Sequence, residues 1–182
     1  MIRKFLFIAA IALLGTLGLS ACNNNKQAST TTEAKATRPN CATGAPDCMK
    51  GWQDYLSQVV QDNMGDITNN PYMYFVPAVG TSAAATGTAA GPASASSAAE
   101  TLSRVQDQID TVVAATVLPG NMIAAGGPSS STTAQVLESA FKQASPGSFK
   151  GVVVLFIGDK ADEAAVKQAV DPSGATFKFA QM

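Results

Sequence analysis

From residue 72 onward, apolar runs short enough to be strands alternate with longer stretches that carry an apolar residue every third or fourth position. That alternation constrains the fold more than any other feature. Strands separated by single helices must run mostly parallel, joined by right-handed crossovers, because a hairpin turn cannot bring the chain back in the same direction. The firmest element is Val152 to Ile157 (VVVLFI). Its unbroken β-branched and aromatic run suits a strand buried on both faces.

The other elements fall in order around it. Asp47 is placed to cap a helix over Cys48–Met64, where Trp52, Tyr55, Leu56, Val59, Val60 and Met64 share one face. Gly65 stops that helix. Tyr72 to Val79 reads as a strand rich in aromatics, with Pro77 marking an edge or a strand end. Thr81 to Ser96 is a low-complexity loop. Ser97 and Glu100 form a capping box. They open a helix with Leu102, Val105, Ile109, Val112, Val113 and Val117 on its buried side, closed by Pro119 and Gly120. Asn121 to Ala125 is the weakest strand signal. Thr132 and Gln135 cap a third helix with Val136, Leu137, Ala140, Phe141 and Ala144 facing inward, and Ser145-Pro146-Gly147 turns the chain. Lys160 to Val170 is the fourth helix, Asp171 to Gly174 ends it, and Ala175 to Phe179 alternates as a half-exposed edge strand should. The expected fold class is α/β: a small, mostly parallel sheet of about four strands with crossover helices, plus an N-terminal helix. It forms a single domain over residues 41–182.

The N-terminus has a different character. Arg3 and Lys4 precede an apolar run from Phe5 to Leu19, short of the roughly 20 residues needed to span a bilayer. A positive start, a short apolar segment and small residues at its end make a secretory signal. Leu19-Ser20-Ala21-Cys22 resembles the lipobox of bacterial lipoproteins. The resemblance implies a signal peptide over residues 1–21, cleavage before Cys22, and a diacylglyceryl group on the Cys22 thiol. It also implies a protein held in the membrane through its lipid. Two or more acyl chains hold a protein firmly where one does not. In Gram-negative lipoproteins, Asn rather than Asp at the second mature position, here Asn23, implies forwarding to the outer membrane, with the protein facing the periplasm.

Asn23 to Asn40 is polar and lacks large apolar residues, so with Cys22 it reads as a lipidated, flexible tether over residues 22–40. Its eighteen residues reach roughly 25 Å. Cys41 and Cys48 then enclose Gly44 and Pro46, which let the chain turn back on itself. In an oxidising compartment they read as a local disulfide. A redox pair would favour C-x-x-C spacing, and a metal site would need another strong ligand.

Composition narrows the chemistry. The chain has no His, which removes the commonest general base and metal ligand. Twelve basic residues face thirteen acidic ones, so there is no basic field for nucleic acid. In open parallel sheets, ligands bind beyond the carboxyl ends of the strands. Those ends carry Gly80-Thr81, Gly126-Gly127-Pro128-Ser129-Ser130-Ser131 and Gly158-Asp159. A small-anion site built from Gly126, Gly127, Ser129, Ser130, Ser131, Thr132 and Asp159 is therefore one expectation, since helix N-termini expose N–H groups. Plain turn chemistry explains the same residues, and neither a Walker lysine nor G-x-G-x-x-G is present.

A Ser–Lys hydrolase would need Lys142 or Lys160 beside one of these serines. Asp62, Asn63 and Asp66 do not follow the order of a calcium loop. Asp159, Asp162 and Glu163 suit a helix N-terminus without further function. Trp52 and Tyr55 are either a core face or an exposed aromatic anchor. The expectation is a non-enzymatic envelope lipoprotein with no cofactor and no metal, engaging another envelope protein. The alternative is a small-anion binder using the Gly/Ser turn at 126–132.

Overall fold

The VVVLFI run becomes a central strand because both of its faces find cover. In the computed structural model, which describes residues 37–40, 46–65, 67–79, 92–115 and 117–182, it forms β3, Val153–Gly158. Residues 46–47 and 92–97 are described by their backbone alone. The remaining strands are β1 (Tyr72–Phe75), β2 (Met122–Gly126) and β4 (Thr176–Gln181). The helices are α1 (Pro46–Asn63), α2 (Pro92–Ala114), α3 (Ser130–Phe141) and α4 (Lys160–Val170). A short 3-10 turn, Asp171–Ser173, joins α4 to β4.

All neighbouring strands are parallel and lie in the order β1-β2-β3-β4. Register pairs Ile123 with Val154 and Val154 with Phe177, so one face of the sheet is built row by row. Side chains alternate across the pleat. Ile123, Ala125, Val154 and Phe156 pack against Val105, Ile109 and Val113 of α2, Leu137 and Phe141 of α3, and Val166 and Val170 of α4. Met122, Ala124, Leu155 and Ile157 pack instead against Trp52, Tyr55, Leu56 and Val60 of α1. Three helices therefore cover one face and one helix covers the other. Crossovers of a single hand along strands laid in sequence order put every crossover helix on the same side.

Several boundaries differ from the sequence reading. α1 begins at Pro46, so Asp47 lies inside the helix rather than capping it; proline at the first helical position costs no hydrogen bond. β1 stops at Phe75, short of Pro77, which has no N–H to offer a ladder. α2 starts at Pro92, ahead of Ser97, so residues 92–96 of the expected loop are helical. It ends at Ala114, although Val117 beyond it is still buried in the same core. β2, the weakest signal in the sequence, is buried at every residue. β4 begins and ends later than expected, with the half-buried pattern of an edge.

Residues 37–40 lie against the domain. Pro39 lies beside Gly51 of α1, and Arg38 bonds to the carbonyl of Pro128, so the end of the expected tether packs on the domain. Among the described residues no helix is long and apolar enough to cross a membrane. The expected signal peptide, Cys22, the tether up to residue 36, Cys41, Asp66 and Gly80 to residue 91 lie outside the described residues.

Candidate functional site

The carboxyl ends of β2 and β3 bring together most of the residues expected at a ligand site. Pro128 ends the extended chain, and Ser129 keeps an extended backbone (φ −116°, ψ 108°) as the N-cap of α3. Its hydroxyl accepts a hydrogen bond from the Thr132 N–H at 3.3 Å. The cap is therefore Ser129, and Thr132, expected to fill that role, is its partner three residues on. Ser129 Oγ also lies 2.8 Å from Thr132 Oγ1 and 3.3 Å from Ser131 Oγ. The hydroxyls bind one another and the helix end.

Ser130 does something different. It is buried, donates to Asp162 Oδ2 at 2.5 Å and accepts from the Asp159 N–H at 2.7 Å. One hydroxyl thus ties the N-terminus of α3 to the first turn of α4. Asp162 and Glu163 stand in that turn, where the helix dipole favours negative charge. A diffusible anion would meet carboxylates already occupying the favourable positions.

The two glycines have packing reasons. A Cβ on Gly127 would lie 1.9 Å from the carbonyl oxygen of Val76, and one on Gly126 would lie 2.6 Å from Leu56 Cδ2. These approaches let β1 and α1 close on the end of β2. The sheet order adds a topological reason. A ligand crevice opens where neighbouring strands send their connections to opposite faces. Here α2, α3 and α4 all lie on one face, so β1 to β3 create no such switch point.

What does cover this end is Arg38. Its Nη2 donates to Pro128 O at 3.2 Å, and its Nη1 lies 4.0 Å from Asp159 Oδ1. The guanidinium stands 5.8 Å from the centre of the Trp52 ring. Trp52 and Tyr55 are buried core residues meeting edge to face at 5.7 Å. The Trp52 Nε1 has no hydrogen-bond partner among the described residues. Sequence reasoning missed Arg38 because a polar, Thr-rich neighbourhood carries no sign of docking; only the following proline, which stiffens the chain, hints at it.

The other candidates are dispersed. Lys160 pairs with Glu163, and Lys142 is the C-cap at the far end of α3, so among the described residues neither ammonium bonds a serine hydroxyl. Asp62 accepts from Gln58, and the Asn63 carbonyl accepts from Lys178 across the domain. Among the described residues no cluster of three or more Cys, Asp or Glu is arranged to hold a metal ion. Cys48 is buried and disulfide-bonded, while Cys41, its expected partner, is outside the described residues. A groove of about 370 Å³ runs between β1 and α2, and one of about 410 Å³ between α3 and α4; neither is lined by the 126–132 turn. Comparisons with protein-family models, curated proteins and solved structures found no match.

Proposed function

We propose that this chain is an envelope lipoprotein, anchored through Cys22 in the outer membrane and facing the periplasm. Its α/β body serves as a non-enzymatic accessory or interaction subunit for another envelope protein. The observation that carries the reading is Leu19-Ser20-Ala21-Cys22, set in register behind a positively charged start and a short apolar run. The polar segment that follows supplies a leash of the right kind. Removing residues 1–21 takes Arg3 and Lys4 with it and leaves ten basic against thirteen acidic groups. Such a body has no electrostatic pull toward anionic headgroups, so attachment rests on acyl chains.

The geometry at residues 126–132 supports the non-catalytic side of this reading. Ser129, Ser130 and Thr132 hold helix ends and one another. Ser130 is buried, and its hydroxyl is taken up in joining the N-terminus of α3 to the first turn of α4. Mass spectrometry of the mature protein tests the anchor. The expected product begins at an acylated Cys22, and Cys22→Ser leaves unprocessed or soluble protein. An acyl-free native N-terminus would remove the reading. Cross-linking in intact membranes, with a stoichiometric protein partner recovered equally from the Ser129→Ala, Ser131→Ala double variant, tests the role of the body.

A further inference from the structure

We propose that residues 37–40 form a salt-sensitive strap, fastened by Arg38 across the carboxyl end of the sheet, that covers the Trp52 side of α1.

Four observations meet at Arg38. Its fork donates to the Pro128 carbonyl at the end of β2. Its other nitrogen faces the Asp159 carboxylate at the end of β3. Its charge lies over the Trp52 ring of α1. The next residue, Pro39, rests against Gly51, the neighbour of Trp52 in α1. One residue thus touches two strand ends and the helix on the opposite side of the sheet. A planar guanidinium is suited to this, since it can bond in its plane and stack on an aromatic face at once. A lysine can keep the charge but not the fork.

The contacts are also of the kind that release. Arg38 and Asp159 are each about half exposed, so their attraction is screened by salt. No residue of the strap belongs to a helix or strand. Fastened, the strap covers the Trp52 ring; released, it leaves that ring open to solvent.

The chain supplies its own probe, because Trp52 is its single tryptophan. The experiment is acrylamide quenching of Trp52 in the full-length protein in detergent micelles, at low salt and at high salt. In Arg38→Ala the quenching constant should rise at least twofold; in Arg38→Lys it should rise by less. High salt should move the parent toward the Arg38→Ala value and leave Arg38→Ala itself unmoved. Asp159→Asn, which keeps the arginine and removes its charged partner, should reproduce the high-salt parent at low salt. Circular dichroism keeps a loss of fold from counting as release. Equal quenching in the parent and in Arg38→Ala overturns the strap, as does a parent indifferent to salt together with an unaltered Asp159→Asn. Acylation plays no part in this readout, so a failed anchor and a failed strap give separate results.

Discussion

The two faces of the sheet are covered by different means. On one, α2, α3 and α4 follow directly from connectivity: each is the crossover between neighbouring parallel strands, so its place is fixed once the strands pair. On the other, α1 precedes every strand, and no crossover obliges it to lie there. It is held by its own apolar face, by the Lys178 bond to the Asn63 carbonyl and, through Trp52, by Arg38. The single-helix face is therefore the separable one. It is also the face next to the segment that leads in from the N-terminus.

Adjacent residues of β3 separate the two faces most directly. Leu155 and Phe156 are both fully buried but look to opposite faces. Phe156→Ala empties space among three helices and beside the Phe179 ring, 5.9 Å away, and should cost about 4 kcal/mol. Leu155→Ala, beneath α1 alone, should cost about 3 kcal/mol, because one helix can settle into the gap more easily than three. Urea unfolding measures both; a larger loss for Leu155→Ala would reverse the ranking of the faces.

Reducing the disulfide attacks the α1 face alone. With Cys41 as partner it closes a short loop, worth about 2.5 kcal/mol on loop-closure grounds. Hydrogen exchange after reduction should speed up in α1 and remain unchanged in α2 to α4. Uniform acceleration would show that the faces do not come apart.

Much of this architecture is legible in the sequence, for a physical reason. Amphipathic stripes and apolar strands record burial, and burial here follows the local period. The stripes on α1, α2 and α3 all lie in the cores, from Trp52 and Val60 to Leu137 and Phe141. β2 was faint because Ala124 and Ala125 carry little side chain, yet small residues are what a crowded central strand accepts. The N-cap of α3 was misplaced because Ser129 to Thr133 are five consecutive residues with capping hydroxyls. What chooses among them is Ser130's bond to Asp162, a contact between residues 32 apart in sequence. Arg38 was illegible on similar grounds, since its partners are brought near only by the finished sheet.

That choice of cap makes the next prediction specific to the three-helix face. Ser130→Ala removes a bond to a charged acceptor and strands a backbone N–H, and should cost about 2 kcal/mol. Ser129→Ala removes only the cap and should cost about 1 kcal/mol. Thermal unfolding of both variants checks the order. An equal loss would mean that the link between α3 and α4 adds nothing to capping.

Each face also holds one tyrosine with a raised pKa. Tyr55, on the α1 side, is raised by burial and partly restrained by the positive charge of Arg38. Tyr74, beside α2, is raised by burial and further by Tyr72. In both cases the fold favours the neutral phenol, so the unfolded chain loses its proton first, near the ordinary value of 10.0. Between that value and the folded pKa the folded state binds more protons, and stability falls as pH rises. The contribution is therefore fully present below pH 10 and is lost above it. Tyr55→Phe and Tyr74→Phe should each flatten part of the alkaline decline measured by urea midpoints. Arg38→Ala should extend the Tyr55 part to higher pH, because the charge that restrained it is gone, and should leave the Tyr74 part as it was. If Arg38→Ala alters both parts or neither, the arginine is not seated on the α1 side, and the asymmetry between the faces loses its link to the N-terminal segment.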